Sequence, residues 1–192
     1  EHLLTVLSDV LDFSKIQAGH VHVDKRPFDL ANLIDEVAGL STVTANNKGL
    51  RLSVVTNLAA CHPVVGDPMR VRQVLHNLIG NAIKFTDRGQ VVLRVSRAAG
   101  QDLVTFEVED TGIGIPDQEL SHIFDAFHQV DGVTRHRHDG TGLGLTISKM
   151  LTDLMGGELT VESTPGVGTT FRLRLFLPEV RGALVEQAEV IE

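Results

Sequence analysis

Leu103-Val104-Thr105-Phe106-Glu107-Val108-Glu109-Asp110-Thr111-Gly112-Ile113-Gly114-Ile115-Pro116 passes from strict alternation into a glycine-punctuated turn. On an extended chain Val104, Phe106 and Val108 share one face, and Thr105, Glu107 and Glu109 the other. Asp110 is in phase with the apolar set, so the alternation carries a carboxylate to the inner face. An unpaired carboxylate there is expensive unless donors meet it. Gly112 and Gly114 follow at once and let backbone approach a bound group closely, with Ile113 and Ile115 beside them. A buried acceptor among small and apolar residues suits a flat heterocycle bearing an exocyclic amine. The plainer reading of the same residues is an Asx turn that closes the strand.

Working outward, residues 91–97 form the preceding strand, joined through Ala99-Gly100. Residues 67–86 before it read as a helix with two chemically distinct faces. Val71, Leu75, Leu78 and Ala82 make the core side, and Asn77, Asn81 and Lys84 make a second stripe at i, i+4 and i+7. Two carboxamides and an ammonium in line can reach phosphate oxygens and the shell of a hard cation, although a polar boundary stripe is common on any amphipathic helix. Downstream, Phe124 and Phe127 look like apolar anchors before a polar loop holding Arg135, His136, Arg137 and His138. Gly140-Thr141-Gly142-Leu143-Gly144-Leu145 then opens a helix whose core side is Leu143, Ile147, Leu151 and Leu154. Glycines at a helix start expose N–H groups to an anion, helped by the helix dipole. No strand precedes this cluster, so it is not a dinucleotide fingerprint, and no G-x-x-x-x-G-K-[ST] loop occurs. The histidines of the loop, even with His122 and His128, read as solvated side chains rather than metal ligands. Strands over 158–163 and 168–177, joined by Thr-Pro-Gly, complete the pattern, with Phe171, Leu173, Leu175 and Leu177 inward and Arg172 and Arg174 outward.

The remaining chain is less eventful. Residues 1–18 read as a helix with Leu4, Leu7, Leu11 and Ser14 in helical spacing, stopped by Gly19. No cap precedes Leu3, so the helix is expected to begin upstream of this sequence. Residues 20–28 read as an extended link. Asp29 caps a helix to about residue 47 with Leu30, Leu33, Ile34, Val37 and Leu40 buried; a strand over 50–56 and a loop over 57–68 follow. Residues 181–192 look like an acidic linker or tail. Of 192 residues, 42% are hydrophobic and 22% charged, enough for one packed domain. Seventeen basic against 25 acidic residues, with no Trp or Tyr, argue against nucleic acid and against an anionic membrane surface. The single cysteine, Cys61, excludes a disulfide framework and suits a reducing compartment.

Taken in order, these motifs resemble the catalytic, ATP-binding domain of sensor histidine kinases of two-component systems, within the superfamily shared with gyrase, mismatch-repair ATPases and heat-shock chaperones. Residues 76–86 resemble its asparagine box, 110–114 its first glycine box, 124–127 its phenylalanine box, 140–145 its second glycine box and 164–171 a closing glycine segment. The resemblance spans about residues 3–178, and residues 1–19 are similar to the end of the second dimerisation helix, especially in hybrid kinases.

The resemblance implies an α+β fold of Bergerat type: a two-layer sandwich in which a mixed, largely antiparallel sheet is covered by three helices. It divides the chain into a partial dimerisation helix (1–19), a catalytic domain (20–178) and a tail (179–192). It implies that Asp110 accepts from the adenine amine of ATP and that Asn81 ligates Mg²⁺. Asn77 and Lys84 would serve the phosphate end as catalytic residues. Gly112, Gly114, Ile115 and Thr169 would border the base. Gly140, Thr141, Gly142, Leu143 and Gly144 would form the lid hinge and its N–H donors, and Arg135 or Arg137 would reach the γ-phosphate. Two departures stand out. His136 occupies about the place of the family's lid arginine, and Asp139 that of a glycine. No H-E-x-x-[TR]-P-like sequence is present, so the phosphorylated histidine would lie on a helix outside this chain, and the fragment alone is expected not to autophosphorylate. The implied partners are that helix, in the same or a partner subunit, and a response-regulator receiver. The whole protein would be a homodimer on the cytosolic side, either free or tethered to a membrane by parts outside this sequence. Two alternatives stay open: a non-catalytic signalling scaffold, and an ATP hydrolase of the same superfamily. The hydrolase is disfavoured because Asn77 stands where its general-base glutamate belongs.

Overall fold

The computed structural model describes residues 2–58, 63–98, 100–129 and 141–180. Its elements in chain order are α1 (His2–Gln17), β1 (Arg26–Phe28), α2 (Leu30–Asn47), β2 (Arg51–Asn57), β3 (Val64–Gly66) and α3 (Pro68–Phe85). There follow β4 (Gln90–Arg97), β5 (Leu103–Asp110), α4 (Asp117–Leu120), α5 (Gly144–Leu154), β6 (Glu158–Thr164) and β7 (Gly168–Phe176). A five-stranded sheet runs β2-β4-β5-β7-β6, with β2 parallel to β4 and every other pair antiparallel. The α+β sandwich with a mixed, mostly antiparallel sheet is therefore the observed architecture.

The inner face of the sheet is apolar by alternation: Leu93, Val95, Val104, Phe106, Val108, Phe171, Leu173 and Leu175 are buried. Packed on them are the apolar sides of α2, α3 and α5. The outer face is an ionic lattice in which Arg172 joins Glu107 at 2.7 Å and Glu162 at 3.2 Å, and Arg174 joins Glu158 at 3.1 Å.

Capping follows the sequence signals. Asp29 accepts from the Asn32 N–H at 3.0 Å. Asp67, buried, accepts from Arg70 at 3.0 Å and also from the Asp24 N–H at 2.9 Å, tying the link before α2 to the head of α3. At the other end of α3 the Lys48 ammonium donates to the carbonyls of Ile83 at 2.6 Å and Lys84 at 2.8 Å. There it satisfies end carbonyls and complements the dipole.

Four expectations are corrected. Leu40 is 66% exposed: at 100° per residue it falls just outside the arc running from Leu33 to Ala45 that faces the core. Leu154 is in phase but is the last residue of α5 and is exposed. The stretches read as link and loop each hold a three-residue strand, and β1 pairs antiparallel with β3. Apart from these four, α1 packs through Phe13 and Ile16 and leaves Leu4, Leu7 and Leu11 facing solvent.

Candidate functional site

The carboxylate of Asp110 is 7% exposed at the end of β5. Gly112 donates its N–H to Oδ1 at 2.8 Å, so the Asx turn is real. Burial pushes the carboxyl above its ordinary range; the N–H groups of Gly112 and Thr169 oppose that shift, and Glu109 adds to it. Thr86 is fully buried, and its Oγ1 has no hydrogen-bond partner in the protein. A buried acceptor and a buried hydroxyl with no protein partner, close together, suit a ligand group carrying both donor and acceptor.

Around this pair the backbone draws close. A Cβ on Gly112 would stand 2.5 Å from the Phe85 carbonyl oxygen and 2.8 Å from Asp110 Oδ1, so residue 112 must lack one. Ile113 donates to the Phe85 carbonyl at 3.3 Å, which fastens this turn to the end of α3. Gly166 donates to the Ile113 carbonyl at 2.7 Å, and the Ser163 hydroxyl accepts from Ile115 at 2.8 Å and meets Thr169 at 2.9 Å. Gly112 and Thr169 thus adjoin Asp110, Ile115 is tied to Thr169 through Ser163, and Gly114 lies against Thr164.

The second part of the site lies where α3 meets α5. Asn77 donates to Ser148 Oγ at 2.8 Å, and a Cβ on Gly144 would collide with the Asn77 carboxamide. Asn81, half-buried, follows one turn along α3, then Lys84, whose ammonium stands 5.1 Å from the Phe85 ring centroid. Helix α5 begins at Gly144 with Leu143 as N-cap and no side-chain cap. Its first amides have no intrahelical acceptor, which makes the start an anion site. The Leu143 N–H is held by Thr141 Oγ1 at 3.1 Å. Thr146 in this first turn is buried with its hydroxyl unpartnered. Arg135, Arg137 and Gly140 lie outside the described residues.

Phe127, read as an apolar anchor before the polar loop, is held against α1 and not in the core. It is 64% exposed, has φ 63°, and presents its ring edge-on to Phe13 with centroids 6.0 Å apart. Ile123 is the buried residue of that segment, with half-buried Phe124 against the core. His122 meets Asp125 at 2.9 Å and His128 meets Glu119 at 2.8 Å; among the described residues no group of three or more ligand side chains is placed for a metal. Thr86 and Ser148 went unnoticed in the sequence, since neither hydroxyl stands out before its neighbours are known. Among the described residues no helix is long and apolar enough to cross a membrane.

The fit to a purine nucleotide is good on these observations: an unsatisfied hydroxyl beside a buried acceptor, a cradle that a Cβ would fill, and free amides at a helix start. Hard-oxygen ligation by the Asn81 carboxamide fits a magnesium-bound phosphate.

Residues 66–179 match the family described as histidine kinase-, DNA gyrase B-, and HSP90-like ATPase. The chain is 43% identical over 173 residues to the signal transduction histidine-protein kinase BarA of Escherichia coli K12, covering 88% of this chain and 19% of BarA. It is similar in structure to full-length ShkA in complex with AMPPNP, with TM-score 0.82 and 34% identity over 95% of this chain and 37% of that one. The nucleotide-free catalytic domain of the histidine kinase ThkA matches with TM-score 0.67 and 27% identity, covering 79% of this chain and 97% of that one. The chain spans about a fifth of the length of the relatives it matches.

Proposed function

The chain belongs to the histidine kinase-, DNA gyrase B- and HSP90-like ATPases, as the ATPase domain of a sensor histidine kinase, and on that premise we propose that it binds Mg-ATP and directs the γ-phosphate to a histidine on a helix outside this sequence. The observation that carries this reading is Asp110, a carboxylate buried against its own electrostatic preference beside an unpartnered Thr86 hydroxyl. Asp110 accepts from the adenine amine, and Gly112, Gly114, Ile115 and Thr169 border the base. Asn81 holds the cation, with Asn77 and Lys84 at the phosphate end. Thr141, Gly142, Leu143 and Gly144 bring the opening amides of α5 to the phosphates, with Gly140 and either Arg135 or Arg137 beyond them. Magnesium, when bound with the nucleotide, supplies charge neutralisation along the phosphates. Positioning and electrostatic stabilisation carry most of phosphoryl transfer, and the work of this chain is to hold and orient. ShkA with AMPPNP supports the nucleotide class. The hydrolase reading is the weaker one, because the Asn77 amide has no basic lone pair and already donates to Ser148.

We extend the proposal to the whole protein as a homodimer acting on the cytosolic side and passing its phosphoryl group to a receiver domain. In it residues 1–19 end a dimerisation helix, 20–178 form the catalytic domain and 179–192 link onward. Calorimetric titration of ADP and AMPPNP with and without Mg²⁺ tests the site. Wild type is expected to bind in a magnesium-dependent way, and Asp110→Asn to lose at least about tenfold, the scale of one hydrogen bond to a charged group. Absence of binding at millimolar nucleotide sinks the reading and favours a scaffold.

A further inference from the structure

Asn77 and Asn81 stand one turn apart on α3, yet their surroundings differ. Asn77 lays its carboxamide along the first turn of α5: Nδ2 donates to Ser148 Oγ at 2.8 Å, and Oδ1 occupies the place that a Cβ on residue 144 would need. Ser148 is buried, with 2% exposed. Residues 144 and 148 lie on one face of α5, i and i+4, so a single carboxamide spans both. The missing side chain at Gly144 sets how closely the two helices approach. The hydrogen bond to Ser148 sets how far α5 is rotated about its axis and slid along it. On one side of this joint are the uncapped amides that open α5. On the other is Asn81, about 5–6 Å further along α3.

We infer that Asn77 and Ser148 are a positioning pair that fixes the gap between the opening amides of α5 and the Asn81 carboxamide, so that a magnesium–phosphate unit is gripped from both helices at once. This deepens the nucleotide reading and rests on it. Besides its place at the phosphate end, Asn77 acts through Ser148, and through this bond Ser148 sets how strongly magnesium tightens binding. The purine end, built on β5 and the turn after it, is independent of the joint.

The test measures ADP dissociation constants with and without Mg²⁺ for the 192-residue chain and takes their ratio as the magnesium-linked gain. Ser148→Ala is expected to keep magnesium-free affinity within about twofold and to lose about fivefold of the gain, equivalent to ~1 kcal/mol. Asn77→Ala loses at least as much, and the double variant loses no more than Asn77→Ala alone, the non-additivity expected of residues acting as one unit. Ser148→Thr, which keeps the hydroxyl, restores the gain. In nucleotide-free protein, amide exchange over residues 145–148 rises in Ser148→Ala and not in Ser148→Thr. A wild-type gain in Ser148→Ala, additive losses in the double variant, or an equal loss of magnesium-free affinity each overturns the pairing. If wild type binds no ADP at all, the nucleotide reading fails. The exchange measurement then decides alone whether the pair holds α5, and unchanged exchange rejects it.

Discussion

Asp110 concentrates opposing demands at a single residue. Burial favours its neutral form, and the N–H groups around it only partly offset that, so its folded-state pKa lies above the ordinary 3.8. For a carboxyl raised on folding, the stabilising contribution is complete below the unfolded value and is lost as pH rises through the folded one. Ionising Asp110 in the folded protein therefore costs stability, as is common for groups at functional sites. Asp110→Asn should melt above wild type at pH 8, with the difference shrinking toward pH 4, while losing nucleotide affinity. Melting curves that coincide across this range would show that the carboxylate is satisfied by the protein alone. Gly112→Ala places a methyl against the Phe85 carbonyl and the Asp110 carboxylate; we expect a loss of about 1–3 kcal/mol in urea unfolding together with weakened nucleotide binding. At this scale the sequence was legible where a residue breaks its own pattern: Asp110 interrupts an apolar face, and the phase alone marks it. It was illegible where meaning comes from a neighbour distant in the chain. Ser148 is an ordinary helix residue until Asn77 lies on it, and Phe127 is an anchor without a known partner until its ring is found against Phe13.

Among the elements, the long ones declare themselves through periodicity and caps, as with α3 between Asp67 and Thr86. Three-residue strands such as β1 and β3 carry too few residues for a period of two to register, and only pairing reveals them. The least legible feature is how β4 holds the chain beyond β7. Arg97 is 9% exposed and donates to Glu179 at 2.6 Å and to the Leu177 carbonyl at 2.6 Å. Val65 donates to the Pro178 carbonyl at 2.8 Å and Val180 to that of Pro63 at 2.8 Å, so residues 177–180 are stitched to β3. An arginine at a strand end normally reads as a solvated terminus, and nothing local foretells its burial. Removing one member of a buried pair strands the other's charge. Glu179→Ala should therefore cost about 3 kcal/mol in urea unfolding, more than Arg97→Met, which removes the buried charge and keeps the apolar stem. Equal costs would mean that the stitching, not the ion pair, holds this segment.

Over the whole molecule, α1 is joined to the sandwich at the phosphate end. Ile16 enters the core, the Gln73 amide on α3 donates to Asp12 at 3.1 Å, and the Thr141 hydroxyl donates to Asp9 at 2.8 Å. The Phe127 N–H donates to the Gly142 carbonyl at 3.1 Å. The same Thr141 oxygen accepts from the Leu143 N–H. The Asp9 carboxylate thus lies against the helix start whose free amides are proposed to take phosphate. A negative side chain there is favoured by the dipole, and so is a phosphate; both together repel. Nucleotide should then weaken α1 docking, and docking should weaken nucleotide by the same factor, because coupling between two binding events is reciprocal. Asp9→Asn keeps an acceptor for Thr141 and deletes the charge, so ADP affinity should rise about two- to fivefold at low salt, the span of a helix-terminus charge effect. The advantage should fade near 1 M salt, where the Debye length falls to about 3 Å. In wild type, saturating ADP should raise amide exchange over residues 9–17 while leaving β5 unchanged. Unaltered affinity in Asp9→Asn would break this coupling and leave α1 as a helix that merely rests on the domain it precedes. A rise that persists in high salt would assign the gain to freed packing, because only the charge term is screened.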